Sequence, residues 1–260
     1  MIIYEYTNKM YIARQDLRQI RRIIVADYRE TVDYILGIPL FAQKIGKENL
    51  SSLLCRLGNP EKSIPAVHVA GTNGKGSTCR ALAQMLTGMG YRVGLFISPH
   101  LVSINERIQI DGENISDADF VWAFETVKEK FTQHPSFFEV MFAMAAVYFR
   151  EKKCDFVVYE TGMGGRLDAT NVLMPELSII TSVGMDHMEY LGDTIEKIAA
   201  EKAGIIKPGI PIIYFKRDEA VAKVIEDTAR GQKSPVIPVE KQDYIINHLG
   251  DKTIDFSLHS

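Results

Sequence analysis

Hydrophobic and polar positions follow two rhythms along this chain, and the switch between them sets the predicted fold. From Arg29 to Leu57 apolar residues recur at helical spacing (Val32, Ile35, Leu36, then Leu50, Leu53, Leu54, Leu57), which predicts two helices separated by the region of Pro39. The rhythm then changes. Ala66-Val67-His68-Val69-Ala70 is a short β-prone run stopped by Gly71. Similar runs at Val93–Ile97, Phe156–Glu160, Leu177–Val183 and Ile210–Phe215 predict further strands. Between them, Thr78–Met89, Asp117–Phe131, Phe138–Lys152 and Thr194–Ile206 read as helices. Buried-type strands alternating with helices predict an α/β fold, a mostly parallel sheet with helices on both faces. Tyr244–Leu258 alternates around Gly250-Asp251 and predicts a C-terminal β-hairpin. Residues 1–22 are charged and weakly patterned, and read as a flexible or helical extension.

Composition narrows the class. The 260 residues are 46% hydrophobic and 24% charged, which excludes a disordered, collagen-like or coiled-coil chain. A net charge of −3 with no basic run offers no field for nucleic acid or an acidic membrane. The longest apolar stretch, Phe137 to Phe149, is too short to span a bilayer and carries Glu139. The N-terminus lacks the charged start and apolar core of a signal peptide. Cys55, Cys79 and Cys154 are scattered and form no C-x-x-C pair, so a reduced, cytoplasmic setting is expected.

The sharpest chemical signal is Val67-His68-Val69-Ala70-Gly71-Thr72-Asn73-Gly74-Lys75-Gly76-Ser77-Thr78: a strand, a glycine-rich turn, a lysine, hydroxyls, then a helix beginning near Ser77. Glycines let the backbone wrap an anion with its N–H groups inward, the helix N-terminus adds positive potential, and the lysine reaches outer phosphates. The spacing departs from the standard Walker pattern, since Val69 stands where its first glycine belongs and Gly76 separates Lys75 from Ser77. A tight strand–helix turn with an incidental lysine is the plain alternative; a nucleoside triphosphate site accounts for more of the residues.

Ligands in open α/β sheets bind beyond the carboxyl ends of the strands. Ser98, Glu160 and His187 stand at or just after predicted strand ends. An acid ending a buried strand is well placed to hold Mg²⁺ beside a phosphate loop. Each also has a plainer reading: Glu160 as a partner of Arg166, Ser98 as a turn residue before proline, and His187 as a surface imidazole, a soft donor for a hard cation. Lys202 reads by default as an exposed helical lysine, and Phe138 as a core residue heading an apolar helix.

Gly71-Thr72-Asn73-Gly74-Lys75-Gly76-Ser77 resembles the phosphate loop of the Mur ligase superfamily. The inserted Gly76 is the form of its folate branch, the folylpolyglutamate synthase/dihydrofolate synthase family. The resemblance runs from about Tyr28 to Ser260. It includes Ile97-Ser98-Pro99-His100-Leu101, Glu106-Arg107-Ile108, Phe138-Glu139, the run from Glu160-Thr161-Gly162 to Asp168-Ala169-Thr170-Asn171, Asp186-His187 and Glu201-Lys202-Ala203-Gly204.

The resemblance implies a P-loop NTPase-like Mur ligase central domain over residues 28–260, following an extension at 1–27. It implies ATP bound by Thr72, Asn73, Gly74, Lys75, Gly76 and Ser77, and magnesium held by Ser98, Glu160 and His187. Lys75, Lys202 and His187 are then the catalytic set, with Lys202 carbamylated, which requires an amine whose pKa is lowered by burial. Phe138, Glu139, Arg107, Asp168 and Ala169 are implied contacts of the pterin-bearing substrate, and Ser98–Arg107 resembles the loop that covers it. The implied reaction joins L-glutamate to dihydropteroate or a reduced folate through an acyl phosphate.

The implied enzyme is a cytoplasmic monomer without nucleic-acid or membrane partners. A second α/β domain carrying the glutamate site is expected after the hairpin, and this chain stops at Ser260, where it would begin. An ATP-binding module without ligase turnover is therefore the alternative from another class. A ligase for a cell-wall precursor is disfavoured by Gly76, the Asp168 loop and Phe138-Glu139, and a small-molecule kinase by the loop spacing.

Overall fold

The computed structural model describes residues 27–39, 48–250 and 254–258. The extension expected at residues 1–22 lies outside them. Two helices, α1 at residues 27–36 and α2 at Glu48–Arg56, precede the sheet. The alternation then runs β1 (Ala66–Ala70), α3 (Lys75–Gly88), β2 (Val93–Phe96), β3 (Ile108–Ile110), β4 (Glu113–Asn114), α4 (Asp117–Lys128), α5 (Phe137–Glu151) and β5 (Phe156–Glu160). It continues through β6 (Leu177–Ile180), α6 (Met188–Leu191), α7 (Ile195–Ala203), β7 (Ile212–Phe215), α8 (Glu219–Gln232) and β8 (Val236–Val239). β9 (Tyr244–Leu249) and β10 (Ile254–Leu258) form the expected antiparallel hairpin, apart from the main sheet.

The main sheet has eight strands in the order β4-β3-β2-β5-β1-β6-β7-β8. From β2 to β8 every pairing is parallel, and β3 and β4 add antiparallel strands at one edge. β1 is internal, with Val69 opposite Glu160 of β5 on one side and Ile179 of β6 on the other. That register brings the carboxyl ends of β1, β5 and β6 together.

Alternation along the strands sends neighbouring side chains into different cores. Val158 packs with Cys79 and Ala83 of α3, whereas Val157 and Tyr159 pack with α5. Ala70, Ile180, Ile212 and Tyr214 pack with α7 and α8. Helices therefore cover both faces, as the apolar strand runs require. α5 is buried almost all round, so the longest apolar stretch is a core helix. A reciprocal Ser136–Glu139 capping box starts it.

Among the described residues five of these elements fall outside the sequence reading: β3, β4, the short α6, α8 and β8. β6 is also shorter than its apolar run, because Thr181–Val183 leave the sheet and turn towards β1's loop.

Candidate active site

β1 ends at Ala70, and the chain turns through Gly71 (φ 154°) and Gly74 (φ 82°) into α3, which begins at Lys75. Gly74 is the N-cap and offers no side-chain acceptor to the first helical N–H groups. A helix start with open N–H groups and the positive dipole end is an anion site. The loop itself is clamped from the exit of β6. Thr72 N–H donates to Ser182 O at 2.6 Å and Asn73 N–H to Ser182 Oγ at 3.1 Å. Thr181 Oγ1 donates to Asn73 O at 2.8 Å, while Thr72 Oγ1 bonds both the carbonyl and the N–H of Gly184.

Glu160, at the end of β5, faces this loop. Its carboxylate oxygens lie 3.5 and 3.7 Å from where a Cβ on Gly76 would stand, so the inserted glycine leaves the acid open to the loop. Oε2 accepts the Ser98 N–H at 2.8 Å, drawing the end of β2 to the same point. Burial pushes the Glu160 carboxyl up, opposed by the Ser98 N–H and the charges of Lys75, Arg80 and Arg107. The alternative Glu160–Arg166 pair is not formed: Arg166 pairs with Glu201 at 2.7 Å.

Lys75 and Lys202 converge on one backbone oxygen. Lys75 Nζ lies 3.1 Å and Lys202 Nζ 2.9 Å from Gly71 O. Lys202 comes from the last turn of α7 and is only 2% exposed, contrary to its default reading as a surface lysine. Burial, with the neighbouring Lys75 charge, pulls its ammonium down to about 8, and Asp186 works in the opposite direction. His187 stands apart in character: it caps the short α6 in a left-handed conformation (φ 49°), with its ring exposed and 3.6 Å from Asp186. Among the described residues no three His, Cys, Asp or Glu side chains gather into a preformed metal cluster.

The expected acceptor-side residues are organised by one another. Phe138 packs its ring edge on Gly162, where a Cβ would stand 2.8 Å from Cζ, and lies 5.5 Å from the Phe96 ring. Arg107 is buried, donates Nε–H to His100 Nδ1 at 2.9 Å, and stacks its guanidinium 5.0 Å over Phe137. Two carboxylates expected to face ligand are engaged internally instead. Glu139 Oε2 accepts the Ser136 N–H and hydroxyl at the start of α5. Asp168 is buried and accepts from Gly162 N–H, Met163 N–H, Thr170 N–H and the Thr170 hydroxyl. Short residues after a strand and before a 3₁₀ turn explain this: Asp168 caps Ala169–Val172 while its other oxygen closes the glycine loop. Ala169 packs partly into the core beside Val172.

Sequence reading missed the Thr181–Ser182 clamp and the buried His68, which bonds Thr170 Oγ1 through Nε2 at 2.7 Å. A hydroxyl pair directly after an apolar strand was the available signal for the clamp. Nothing local marked His68 out from a β-strand residue.

Residues 69–248 match the Mur ligase middle domain family. The dihydrofolate synthase/folylpolyglutamate synthase of Bacillus subtilis is 46% identical over 216 residues, covering 80% of this chain and 50% of the relative. Folylpolyglutamate synthase of Thermotoga maritima superposes with a TM-score of 0.80 at 40% identity, covering 88% of this chain and 54% of that one. A folylpolyglutamate synthase–AMPPCP–folate complex superposes with a TM-score of 0.81 at 38% identity, covering 85% and 56%. The chain thus spans about half the length of the relatives it matches.

Proposed function

Because the chain belongs to the folylpolyglutamate synthase/dihydrofolate synthase family of the Mur ligase superfamily, we propose that it serves an ATP-dependent ligation of L-glutamate to dihydropteroate or a reduced folate. The observation that carries this reading is the convergence of Lys75 and Lys202 on the Gly71 carbonyl, beside open helix N–H groups and the Glu160 carboxylate. The Lys75 ammonium and the open N–H groups form a site for the phosphates of ATP, and Lys202 reaches the same carbonyl from α7.

In this reading Thr72–Ser77 wrap the phosphates, and Lys75 turns from its carbonyls to the outer phosphoryl oxygens. Glu160 and Ser98, with His187, would hold Mg²⁺. The buried carboxylate and the neighbouring hydroxyl are the hard oxygen donors that this cation takes, while His187 is the soft member of the set. The ion would neutralise phosphate charge when bound. The acceptor carboxylate attacks the γ-phosphorus and ADP leaves, giving an acyl phosphate. The α-amine of glutamate then attacks the acyl carbon, phosphate departs and the amine loses a proton. The chain's own residues contribute positioning and charge: Lys75 on the transferring group, Arg107 and Phe138 on the acceptor side, and Asp168, with Ala169 beside it, by shaping the acceptor loop.

Lys202 is read as carbamylated. Its lowered pKa leaves a fraction of neutral amine near pH 7, which adds to CO₂ with loss of a proton. The resulting anion would pair with Lys75 and relieve the crowding of two cations. Residues 28–260 are the ATP-binding domain in this reading, of a cytoplasmic monomer without nucleic-acid or membrane partners. Among the described residues no helix is long and apolar enough to cross a membrane.

ADP release by the 260-residue chain, with MgATP and dihydropteroate and with or without glutamate, tests the proposal. Glutamate-dependent ADP formation that tracks dihydrofolate supports it. ATP binding without such turnover restricts the chain to the nucleotide half of the reaction. Lys75→Ala is expected to weaken nucleotide binding at least tenfold, the order of a lost charge-assisted contact.

A further inference from the structure

Asp168 accepts four hydrogen bonds, and the identity of the donors fixes the protons of its neighbours. Gly162, Met163 and Thr170 contribute backbone N–H groups, which can only donate. The fourth contact runs from the Thr170 hydroxyl to Oδ1 at 2.5 Å, with the hydroxyl proton directed at the carboxyl; burial pushes the Asp168 carboxyl up, and these four donors oppose that shift. A hydroxyl has one proton, so Thr170 Oγ1 turns a lone pair to His68, and His68 Nε2 carries the hydrogen between them at 2.7 Å. The ring is therefore the Nε2–H tautomer. Its Nδ1 is buried without a hydrogen-bond partner. Burial and the Lys207 charge pull His68 down to about 3, which keeps the ring neutral.

The position of this chain of bonds gives it a consequence. His68 belongs to β1 and stands three residues before Gly71, where the phosphate loop opens. Thr170 and Asp168 belong to the loop after β5, whose N–H groups at Gly162 and Met163 end on Asp168. We propose that His68 is a positioning residue that, through Thr170 and Asp168, holds the Gly162–Asn171 loop in register with the strand leading to the phosphate loop. That this loop receives the acceptor rests on the reading of function given above; the bond chain itself does not. Leaving Nδ1 bare is the cost of this arrangement, and the ring is retained for the single bond made by Nε2.

The test uses the full chain with His68→Gln, His68→Leu and Thr170→Val. Glutamine keeps an amide donor at the reach of Nε2; leucine removes it at similar bulk; valine removes the relaying hydroxyl and leaves His68 in place. Amide exchange in residues 162–171 is expected to rise at least tenfold in His68→Leu and Thr170→Val, and to stay within threefold of wild type in His68→Gln. Exchange in 219–232 should be unchanged in all three. The ¹⁵N shifts of the wild-type His68 ring should show the neutral Nε2–H tautomer. Dihydropteroate affinity is expected to fall at least fivefold in the leucine variant, with AMPPCP affinity within twofold.

An unchanged loop in both His68→Leu and Thr170→Val, a glutamine variant as loose as the leucine one, or an Nδ1–H tautomer overturns the proposal. If His68→Leu does not fold, Thr170→Val carries the comparison. If wild type binds no dihydropteroate, the acceptor reading falls, while the exchange data still decide the role of His68.

Discussion

Gly71 and Thr181 occupy space that only a hydrogen on Gly71 permits: a Cβ there would stand 1.9 Å from Thr181 Oγ1. The same Oγ1 donates to Asn73 O, so it cannot withdraw without releasing the loop. Gly71→Ala is expected to cost at least about 2 kcal/mol in urea unfolding and to weaken nucleotide binding. Adding Thr181→Ala should recover part of the stability but little of the binding, because the clamp is then gone. Calorimetric titration with AMPPCP distinguishes the two effects.

Gly162, in the loop after β5, and Phe138 stand in a similar relation. A methyl at 162 would meet the Phe138 ring edge at 2.8 Å, and that ring is partly exposed, so it can move at a price in packing. Gly162→Ala should destabilise by about 1–3 kcal/mol. Phe138→Leu in that background should cost less than in wild type, and a double-mutant cycle of denaturation midpoints measures the difference.

Lys202 gives the fold a predictable pH response. Its folded pKa is lowered from 10.5 to about 8, so between these values the unfolded chain binds more protons than the folded one. The contribution of this group to stability therefore rises with pH across that window, and its full cost stands below about pH 8. In CO₂-depleted buffer, urea midpoints should show this rise for wild type. Lys202→Met should be flatter over the same range.

Glu106 organises the loop after β2 from the other side of neutrality. N–H groups of Leu101, Ser103 and Val102 hold its carboxyl below the ordinary 4.5. The stabilisation is present above pH 4.5 and is lost as pH falls through the lowered value. Amide shifts of these three residues should share one transition below pH 4.5. Glu106→Ala should remove that transition and speed proteolysis between Leu101 and Val102.

The sequence disclosed what repeats locally. Buried parallel strands are continuous apolar runs, so β1, β2, β5, β6 and β7 were legible, as were the helices whose apolar positions recur. α8 is equally marked in the sequence, with Asp218 as its cap and Val221, Ala222, Ile225 and Ala229 as a buried face at helical spacing, but it carries no chemical motif. β3 and β4, three and two residues long, are too short to show a period. In the site, the phosphate loop was legible because its glycines and lysine are contiguous. Asp168 and Glu139 drew notice as acids, yet their partners are backbone N–H groups of their own turns, which composition does not reveal. The burial of Lys202 depends on α7 packing against the phosphate loop, a contact between residues 131 apart in the chain.

The clamp from β6 onto the phosphate loop ties anion binding to the completeness of the fold. Asn73 and Ser182 are 109 residues apart, with β2 to β5 formed between them. The loop takes this shape only where β1 and the exit of β6 have been brought together, a non-local contact across most of the sheet. A nucleotide that recognises the finished loop binds the native state and not its precursors, and so stabilises the entire sheet by mass action.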